Sequence, residues 1–242
     1  MFNLLIVEDD FVQAQHMVNS ICKTLSNVRL YNIISTAKEC IDILKDEPKV
    51  DIIILDLNLP DMHGNSIIEY IEKHNIKQYE NSIIIYSGYI DCINKIHLNK
   101  YIFSYRFKGS GSDMLINEVK RLIENKKFIE KDSELRKKIN TLLHNLHFNS
   151  NHLGTKYLSD CIYTAFTISD KYNIVLQKDL YPHIAKRYNK SSHNIKSNII
   201  KSINSMYYEC EENILKDFLH NPDLTSAPTV KDFIIAAIEK LS

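Results

Sequence analysis

A run of four aliphatic residues that ends in a single acid constrains the fold of this chain more than any other feature. The segment Ile52–Leu55 is apolar throughout, and Asp56 follows it directly. A short, uninterrupted apolar run is typical of a strand that is buried on both faces of a parallel sheet. Asp56 is therefore expected at the carboxyl edge of such a sheet, where ligands collect in open α/β folds.

Three other apolar segments end in polar side chains that differ in chemistry. The first leads to Glu8, Asp9 and Asp10, another leads to Ser87, and the last leads to Lys108. If the strands are parallel neighbours, these side chains meet at one edge of the sheet. Clustered carboxylates repel one another unless a divalent cation lies among them, and oxygen ligands supplemented by water suit Mg²⁺. Acids, a hydroxyl and an ammonium at one edge can accept a phosphoryl group.

Each of these residues also has an ordinary structural explanation. An acid after a strand is often the N-cap of the next helix, and a single lysine is often a solvated surface charge. Taken one at a time, the residues favour this alternative. The coincidence of four strand ends favours a functional site.

The composition is ordinary for a globular protein, with 44% hydrophobic and 25% charged residues. No apolar run approaches the length of a membrane span, and no signal peptide is expected before the first strand. The five cysteines are widely scattered, which indicates reduced thiols and no disulfide framework. We therefore expect a cytoplasmic protein with no membrane partner.

Strand and helix patterns alternate through residue 125, which predicts a doubly wound, five-stranded parallel sheet of the flavodoxin-like type. The predicted helices of this first domain, residues 1–125, cover 11–25, 36–44, 65–73, 92–99 and 112–125. A charged segment, 126–133, is predicted to be the linker; it has no Gly or Pro and is expected to be partly helical. The strand signal then vanishes, so residues 134–242 are predicted to form an all-helical domain. Its predicted helices lie at about 135–146, 155–171, 178–188, 192–208, 212–219 and 230–241.

The helices 178–188 and 192–208 are joined by a tight turn and resemble a helix-turn-helix. Apolar residues repeat along the second helix and should face the core; these are Ile195, Ile199, Ile203 and Met206. Residues 177–206 hold six basic side chains and one acid, which suits a phosphate backbone. A plain helical hairpin with a solvated polar face explains this pattern equally well.

The first half resembles the receiver domain of two-component response regulators. The matching motifs, in chain order, are Leu5-Ile6-Val7-Glu8-Asp9-Asp10, Leu55-Asp56-Leu57-Asn58-Leu59-Pro60-Asp61-Met62-His63-Gly64, Ser87-Gly88 and Lys108. The resemblance implies transfer of a phosphoryl group to Asp56 from a phosphohistidine of a sensor histidine kinase or phosphotransfer protein. It also implies a Mg²⁺ site formed by Glu8, Asp9, Asp56 and the main-chain carbonyl of Asn58, with Asp10 as a neighbour of that site.

The same resemblance implies roles for three further residues. Lys108 would neutralise the incoming phosphoryl oxygens, Ser87 would hydrogen-bond the acyl phosphate, and Tyr105 would swing inward behind it. The family usually has Pro, often with a cis bond, where this chain has Gly109. A cis bond before Gly costs about 2.5–4 kcal/mol, so we expect a trans bond and a looser loop.

The second half is similar to the stage 0 sporulation protein A family, over about residues 142–241. The similarity is carried by Leu180-Tyr181-Pro182-His183-Ile184-Ala185-Lys186-Arg187-Tyr188-Asn189, Gly154-Thr155-Lys156-Tyr157-Leu158, Ala227-Pro228-Thr229 and Phe233-Ile234. It implies that phosphorylation drives homodimerisation and binding to a DNA operator through a helix-turn-helix. The residues expected to contact DNA are Ser191, Ser192, Asn194, Lys196, Ser197, Asn198 and Lys201, because such side chains and a helix start can meet bases and phosphates.

The base-contacting positions differ from the family, which places arginines where this chain has Asn194, Ser197 and Ile200. We therefore expect either a different operator, richer in A·T, or weak DNA binding. The prediction is a phosphorylation-controlled transcriptional regulator, and not an enzyme beyond slow self-dephosphorylation. The alternative is a protein-interaction switch or phosphate sink with weakened or lost DNA recognition.

Overall fold

The computed structural model describes residues 1–88, 99–168 and 174–242. The chain divides into two compact units, Met1–Phe128 and Ile129–Ser242. Within the described residues, no helix is both long enough and apolar enough to cross a membrane.

The first unit is built on five parallel strands in the order β2-β1-β3-β4-β5. The strands are β1 Phe2–Val7, β2 Val28–Ile34, β3 Ile52–Leu55, β4 Ile83–Ser87 and β5 Ile102–Phe107. This arrangement confirms the predicted doubly wound sheet. Because β1 and β4 both pair with β3, their carboxyl ends lie beside Asp56.

The strand β3 is buried on both faces, as its unbroken apolar run predicts. Ile53 and Leu55 belong to one apolar cluster, and Ile52 and Ile54 belong to the other. Alternate side chains of a strand point to opposite faces, so four consecutive aliphatic residues serve both layers. This double burial fixes the register that brings Asp56 to the edge of the sheet.

Helices cover both faces of the sheet. They are α1 Phe11–Thr24, α2 Ala37–Leu44, α3 Asn65–Lys73 and the beginning of α4 Ser112–Asn145. The apolar residues of α1 and α4 pack in one cluster, and those of α2 and α3 pack in the other. Residues 92–98 of the predicted helix 92–99 lie outside the described residues.

The helix α4 runs without interruption through the predicted linker, residues 126–133. This segment contains charged and apolar side chains but no Gly or Pro, so nothing in it breaks a helix. The two compact units divide between Phe128 and Ile129, inside the predicted linker. The predicted domain limits of 1–125 and 134–242 stay a prediction.

The second unit is helical, as predicted. After the end of α4 it contains α5 Leu153–Thr167, α6 Tyr181–Tyr188, α7 Ser192–Glu209, α8 Glu212–Leu219 and α9 Val230–Leu241. The predicted extension of α5 to residue 171 falls partly outside the described residues.

The predicted helix 178–188 begins later than expected, because Leu176–Leu180 form a π-turn and α6 starts at Tyr181. Pro182 lies in the first turn of α6, where its missing N–H leaves no helical bond unmade. The turn to α7 is short: Asn189 is left-handed at φ 50° and ψ 51°. Ser191 then caps α7. The helices α6 and α7 thus form the predicted helix-turn-helix.

Candidate phosphoryl-acceptor site and DNA interface

Asp56 and Lys108 meet at the carboxyl edge of the sheet, although 52 residues separate them in the chain. The Nζ atom of Lys108 lies 2.6 Å from Oδ2 of Asp56. Asp56 is only 4% exposed, and Lys108 is largely covered as well. A charge-assisted hydrogen bond at this depth is less screened than a surface ion pair.

Glu8, which follows β1, is the third member of this group. Its Oε2 lies 2.7 Å from Nζ of Lys108. Burial raises the pKa of Glu8, and the hydrogen bond and charge of Lys108 offset only part of that effect. Burial lowers the pKa of Lys108, but its bonds to Asp56 and Glu8 outweigh this and raise the pKa above its ordinary value. One ammonium is thus shared by two buried carboxylates.

Asp9 completes a cluster whose chemistry fits Mg²⁺. Glu8, Asp9 and Asp56 each offer a carboxylate oxygen, and these oxygens lie within 4.8 Å of one another. Asp9 is exposed, so the cluster is open to solvent on one side. Three carboxylates beside one ammonium leave an excess of negative charge that a hard divalent cation would balance.

Asp10 is engaged outside this cluster. Its Oδ1 accepts hydrogen bonds from two main-chain N–H groups in the first turn of α1, at 2.9 and 3.0 Å. It therefore serves as the N-cap of that helix. The expectation that Asp10 is a neighbour of the metal site stays a prediction.

The loop after Asp56 folds back over its own strand end. The main-chain N–H of Asn58 donates to Oδ1 of Asp56 at 3.1 Å, and the N–H of Gly64 donates to the Leu57 carbonyl at 2.8 Å. A Cβ atom on Gly64 would lie 2.5 Å from the carbonyl oxygen of Asp56, so this close approach requires glycine. The metal-binding role of the Asn58 main-chain carbonyl stays a prediction.

Ser87 ends β4 with a buried hydroxyl that has no hydrogen-bond partner among the described residues. A buried polar group without a partner loses its bonds to water and gains nothing in exchange. Its position on the strand next to β3 supports the predicted contact with a phosphoryl group.

Tyr105 lies within β5 and pairs in register with Ile85 of β4. Its side chain is half-buried and packs against the apolar cluster that includes α2 and α3. The structure thus places Tyr105 on the strand that leads to Lys108, and its predicted inward movement stays a prediction.

The loop after Lys108 has a contact that the sequence pattern does not indicate. The hydroxyl of Tyr86 donates to the main-chain carbonyl of Lys108 at 3.2 Å, which anchors the lysine from the neighbouring strand. All peptide bonds in the described residues are trans, including the bond before Gly109, as expected. Residues Lys108–Ser110 form a 3₁₀ turn.

The residues predicted to contact DNA lie at the start of α7 or along it. Their positions are Ser191, Ser192, Asn194, Lys196, Ser197, Asn198 and Lys201. Ser191 caps the helix by accepting from the N–H of Asn194 at 3.1 Å. Ser191, Asn194, Lys196 and Lys201 are exposed, and the others are half-buried. The apolar residues predicted to face the core from α7 are all buried.

One flank of α7 is covered by α5. A Cβ atom on Gly154 would lie 2.0 Å from the Asn198 carbonyl oxygen and 2.3 Å from Oγ of Ser202, so the two helices approach closely. Asn198 also donates its side-chain amide within its own helix, at 2.9 Å. The other flank is open and presents Ile200 and Asn204, which were not among the predicted contacts.

The helix-turn-helix carries positive charge that is free to meet a polyanion. Five lysines of this region make no ion pair within the residues that the structure describes, namely Lys178, Lys186, Lys190, Lys196 and Lys201. Arg187 instead pairs with the buried Asp160, at 3.1 Å. Unpaired lysines on one motif suit the phosphates of a nucleic acid.

Two family models match the chain in succession. The response regulator receiver domain matches residues 4–120, and the sporulation initiation factor Spo0A C terminal matches residues 139–241. A solved signal receiver domain from Vibrio parahaemolyticus is 25% identical, with 53% of this chain and 94% of that chain covered and a TM-score of 0.45. The receiver domain of the Francisella response regulator 1452 is also 25% identical, with 52% and 99% covered and a TM-score of 0.44.

The matched regions account for both parts of the structure. The receiver model spans the five-stranded sheet and the acidic site, and the Spo0A model spans the helix-turn-helix. The chain therefore belongs to the two-component response regulators of the stage 0 sporulation protein A type, with a receiver domain followed by a DNA-binding helix-turn-helix domain.

Proposed function

We propose that phosphorylation of Asp56 controls dimerisation and sequence-specific DNA binding, and that the protein regulates transcription in this way. The observation that carries the proposal is the convergence of Glu8, Asp9, Asp56 and Lys108 at one edge of the sheet. The two family matches support the coupling of such a site to a DNA-binding domain.

In the proposed transfer, a carboxylate oxygen of Asp56 forms a bond to phosphorus. The phosphorus–nitrogen bond of a phosphohistidine breaks, and the imidazole of the sensor kinase or phosphotransfer protein is the leaving group. Bound Mg²⁺ would be held by Glu8, Asp9, Asp56 and the main-chain carbonyl of Asn58, and it would neutralise phosphoryl oxygens. Lys108 supplies a second positive charge from the carboxyl end of β5.

The phosphoryl group gives Ser87 and Lys108 a new partner. The unpartnered hydroxyl of Ser87 can donate to a phosphoryl oxygen, and Lys108 can exchange part of its contact with Asp56 for the same group. We propose that Tyr105 then moves inward behind Ser87. These shifts would reshape the surface formed by β5 and the start of α4, through which we propose that the protein dimerises.

In the proposed dimer, two helix-turn-helix units engage two half-sites of an operator. The unpaired lysines would bind phosphates, and the exposed side chains of α7 would read bases in the major groove. Dimerisation would strengthen DNA binding, because two weak half-site contacts act as one strong interaction when they are linked.

The acceptor is tested by treating the full chain with acetyl phosphate and Mg²⁺ and measuring the increase in mass. We expect one phosphoryl group on the wild-type protein and none on Asp56→Ala. Ser87→Ala should still accept the group, because the hydroxyl contacts the product and not the attacking oxygen. Stoichiometric phosphorylation of Asp56→Ala would contradict the assignment.

A second candidate function is a phosphorylation-controlled protein-interaction switch or phosphate sink. The apolar Ile200 on the exposed side of α7 favours it, because the related family has arginine there. Titration with random duplex at low and moderate salt separates the two functions. DNA binding by lysines predicts affinity that falls steeply with salt, whereas absence of binding at low salt would favour the second candidate.

A further inference from the structure

The open flank of α7 carries one apolar side chain in a polar row. Lys196, Ile200 and Asn204 follow one another at intervals of four residues, so they lie on one side of the helix. All three are exposed, and Ile200 retains 38% of its surface. A helix face that binds a purely polar partner gains nothing from an aliphatic residue at its centre.

We propose that Ile200 contacts the C5 methyl group of a thymine in the major groove. This inference rests on the proposed DNA binding and deepens it, because it names thymine as the base selected at one position of each half-site. Thymine alone presents a methyl group in the major groove, where apolar side chains recognise it. The contact would remove apolar surface of both partners from water.

The charges around Ile200 favour DNA over an apolar protein partner. The groove beside Ile200 is lined by the charged residues Lys196 and Lys231 and by the apolar residues Leu176 and Pro228. Neither lysine makes an ion pair within the described part of the chain. Two free ammonium groups beside an aliphatic side chain complement a polyanion that carries a methyl group.

The neighbouring residues fit the same mode of binding. Asn204 lies one turn after Ile200 and can pair with adenine through two hydrogen bonds, and Lys196 lies one turn before it and can reach a phosphate or guanine. Asn198, on the flank that α5 covers, is already bonded within its helix. Base recognition would therefore be centred on Ile200 and not on Asn198.

The test uses a duplex selected from a random pool by the full-length protein after treatment with acetyl phosphate and Mg²⁺. Each thymine is replaced in turn by deoxyuridine, which removes the methyl group and keeps the base-pairing atoms. We expect one replacement per half-site to weaken wild-type binding by about fourfold, the effect of losing one buried methyl-sized group. Ile200→Ala should bind the thymine and deoxyuridine duplexes equally.

Ile214 provides a matched control, because it lies on α8 and is 39% exposed. Ile214→Ala should keep the preference for thymine, and Ile200→Val, which keeps branched methyl groups, should keep most of it. The far-ultraviolet circular dichroism spectrum of each variant verifies that its helices are folded. An unchanged preference in Ile200→Ala, or the absence of any thymine-dependent position, would overturn this inference while leaving DNA binding intact. Absence of wild-type binding at low salt would overturn the proposed function and this inference with it.

Discussion

At the scale of single residues, the candidate acceptor site has more buried carboxylates than cations to pair with them. Lys108 is the ammonium that contacts both buried carboxylates, Glu8 and Asp56. Two buried anions that share one cation keep an affinity for a second cation. This imbalance supports the proposal that the site binds a divalent ion and then receives a phosphoryl group.

Replacing Lys108 should therefore destabilise the protein when no metal is present. We expect Lys108→Ala to lower the free energy of unfolding by about 3 kcal/mol in chelator, because the carboxylates lose their shared cation. Added Mg²⁺ should restore part of the loss. Urea unfolding of the full chain measures both effects.

Lys100→Ala is the matched control for this prediction. Lys100 pairs with Glu80 at 2.9 Å, but both side chains are well exposed. Removing an exposed pair should change the free energy of unfolding by no more than about 1 kcal/mol. An equal loss in the two variants, or no recovery with Mg²⁺ for Lys108→Ala, would contradict the account of the site.

At the scale of elements, the end of β3 depends on a glycine that lies eight residues after Asp56 in the chain. Gly64→Ala would place a Cβ atom 2.5 Å from the Asp56 carbonyl oxygen, so the backbone must shift. We expect a loss of about 1–3 kcal/mol in stability and slower phosphorylation by acetyl phosphate. Gly88→Ala is the control, because a Cβ atom there meets no atom of the described residues within 4 Å. Equal stability of the two variants would count against this tight packing.

A second set of elements is held together by one buried acid. Asp160 of α5 accepts from Arg136 of α4 at 3.3 Å, from Arg187 of α6 at 3.1 Å and from the Tyr188 hydroxyl at 2.7 Å. The side chain is buried, so these bonds replace those it would make to water. The network fixes the first helix of the helix-turn-helix.

Asp160→Ala should destabilise the helix-turn-helix and weaken DNA binding together. Removing the buried acid breaks its bonds to Arg136 and Arg187. Both guanidinium groups are partly exposed and Arg136 keeps its pair with Asp132, so we expect a loss of about 2 kcal/mol. Both readouts matter: urea unfolding reports stability, and a duplex titration reports DNA affinity. Asp217→Ala, which changes an acid near the end of α8 that makes no ion pair within the described residues, should leave both unchanged. An unaffected DNA affinity in Asp160→Ala would show that this network does not position α6.

The sequence predicts those elements whose signals are local. The strand β3 could be predicted because Ile52–Leu55 must pack in two apolar layers. The place of Lys108 at the edge of the sheet could be predicted because the end of a strand precedes it. The sequence predicts the long helix α4 as two helices joined by a partly helical linker, because the apolar periodicity lapses in 126–133 although nothing there breaks a helix. The sequence predicts that α6 starts at residue 178, three residues before its observed start at Tyr181, because the helical periodicity extends into the preceding π-turn.

The sequence could not predict contacts that depend on packing between distant elements. The exposure of Ile200 follows from the flank on which α5 packs, and the approach of Gly154 that covers the other flank is set by tertiary structure. The contact between Tyr86 and the Lys108 carbonyl has the same origin. Periodicity defines which residues of a helix share a face but not which neighbour covers it.

At the scale of the whole molecule, the chain joins a response regulator receiver domain to a DNA-binding domain of the Spo0A C-terminal type. We propose that the two domains are energetically coupled, so that phosphorylation of the first changes the DNA affinity of the second. Coupling between two sites is reciprocal, so a modification that strengthens DNA binding must itself be stabilised by bound DNA. The coupling is therefore measurable from either side.

The most direct test of the account is the DNA affinity of the full chain before and after phosphorylation. The duplex carries two half-sites selected from a random pool, and the variant Asp56→Ala is treated with acetyl phosphate and Mg²⁺ in parallel. We predict that phosphorylation tightens wild-type binding by about 5- to 150-fold, the usual range of coupling between two sites, and leaves the variant unchanged. Equal affinity of the phosphorylated and unmodified wild-type protein would contradict the central claim.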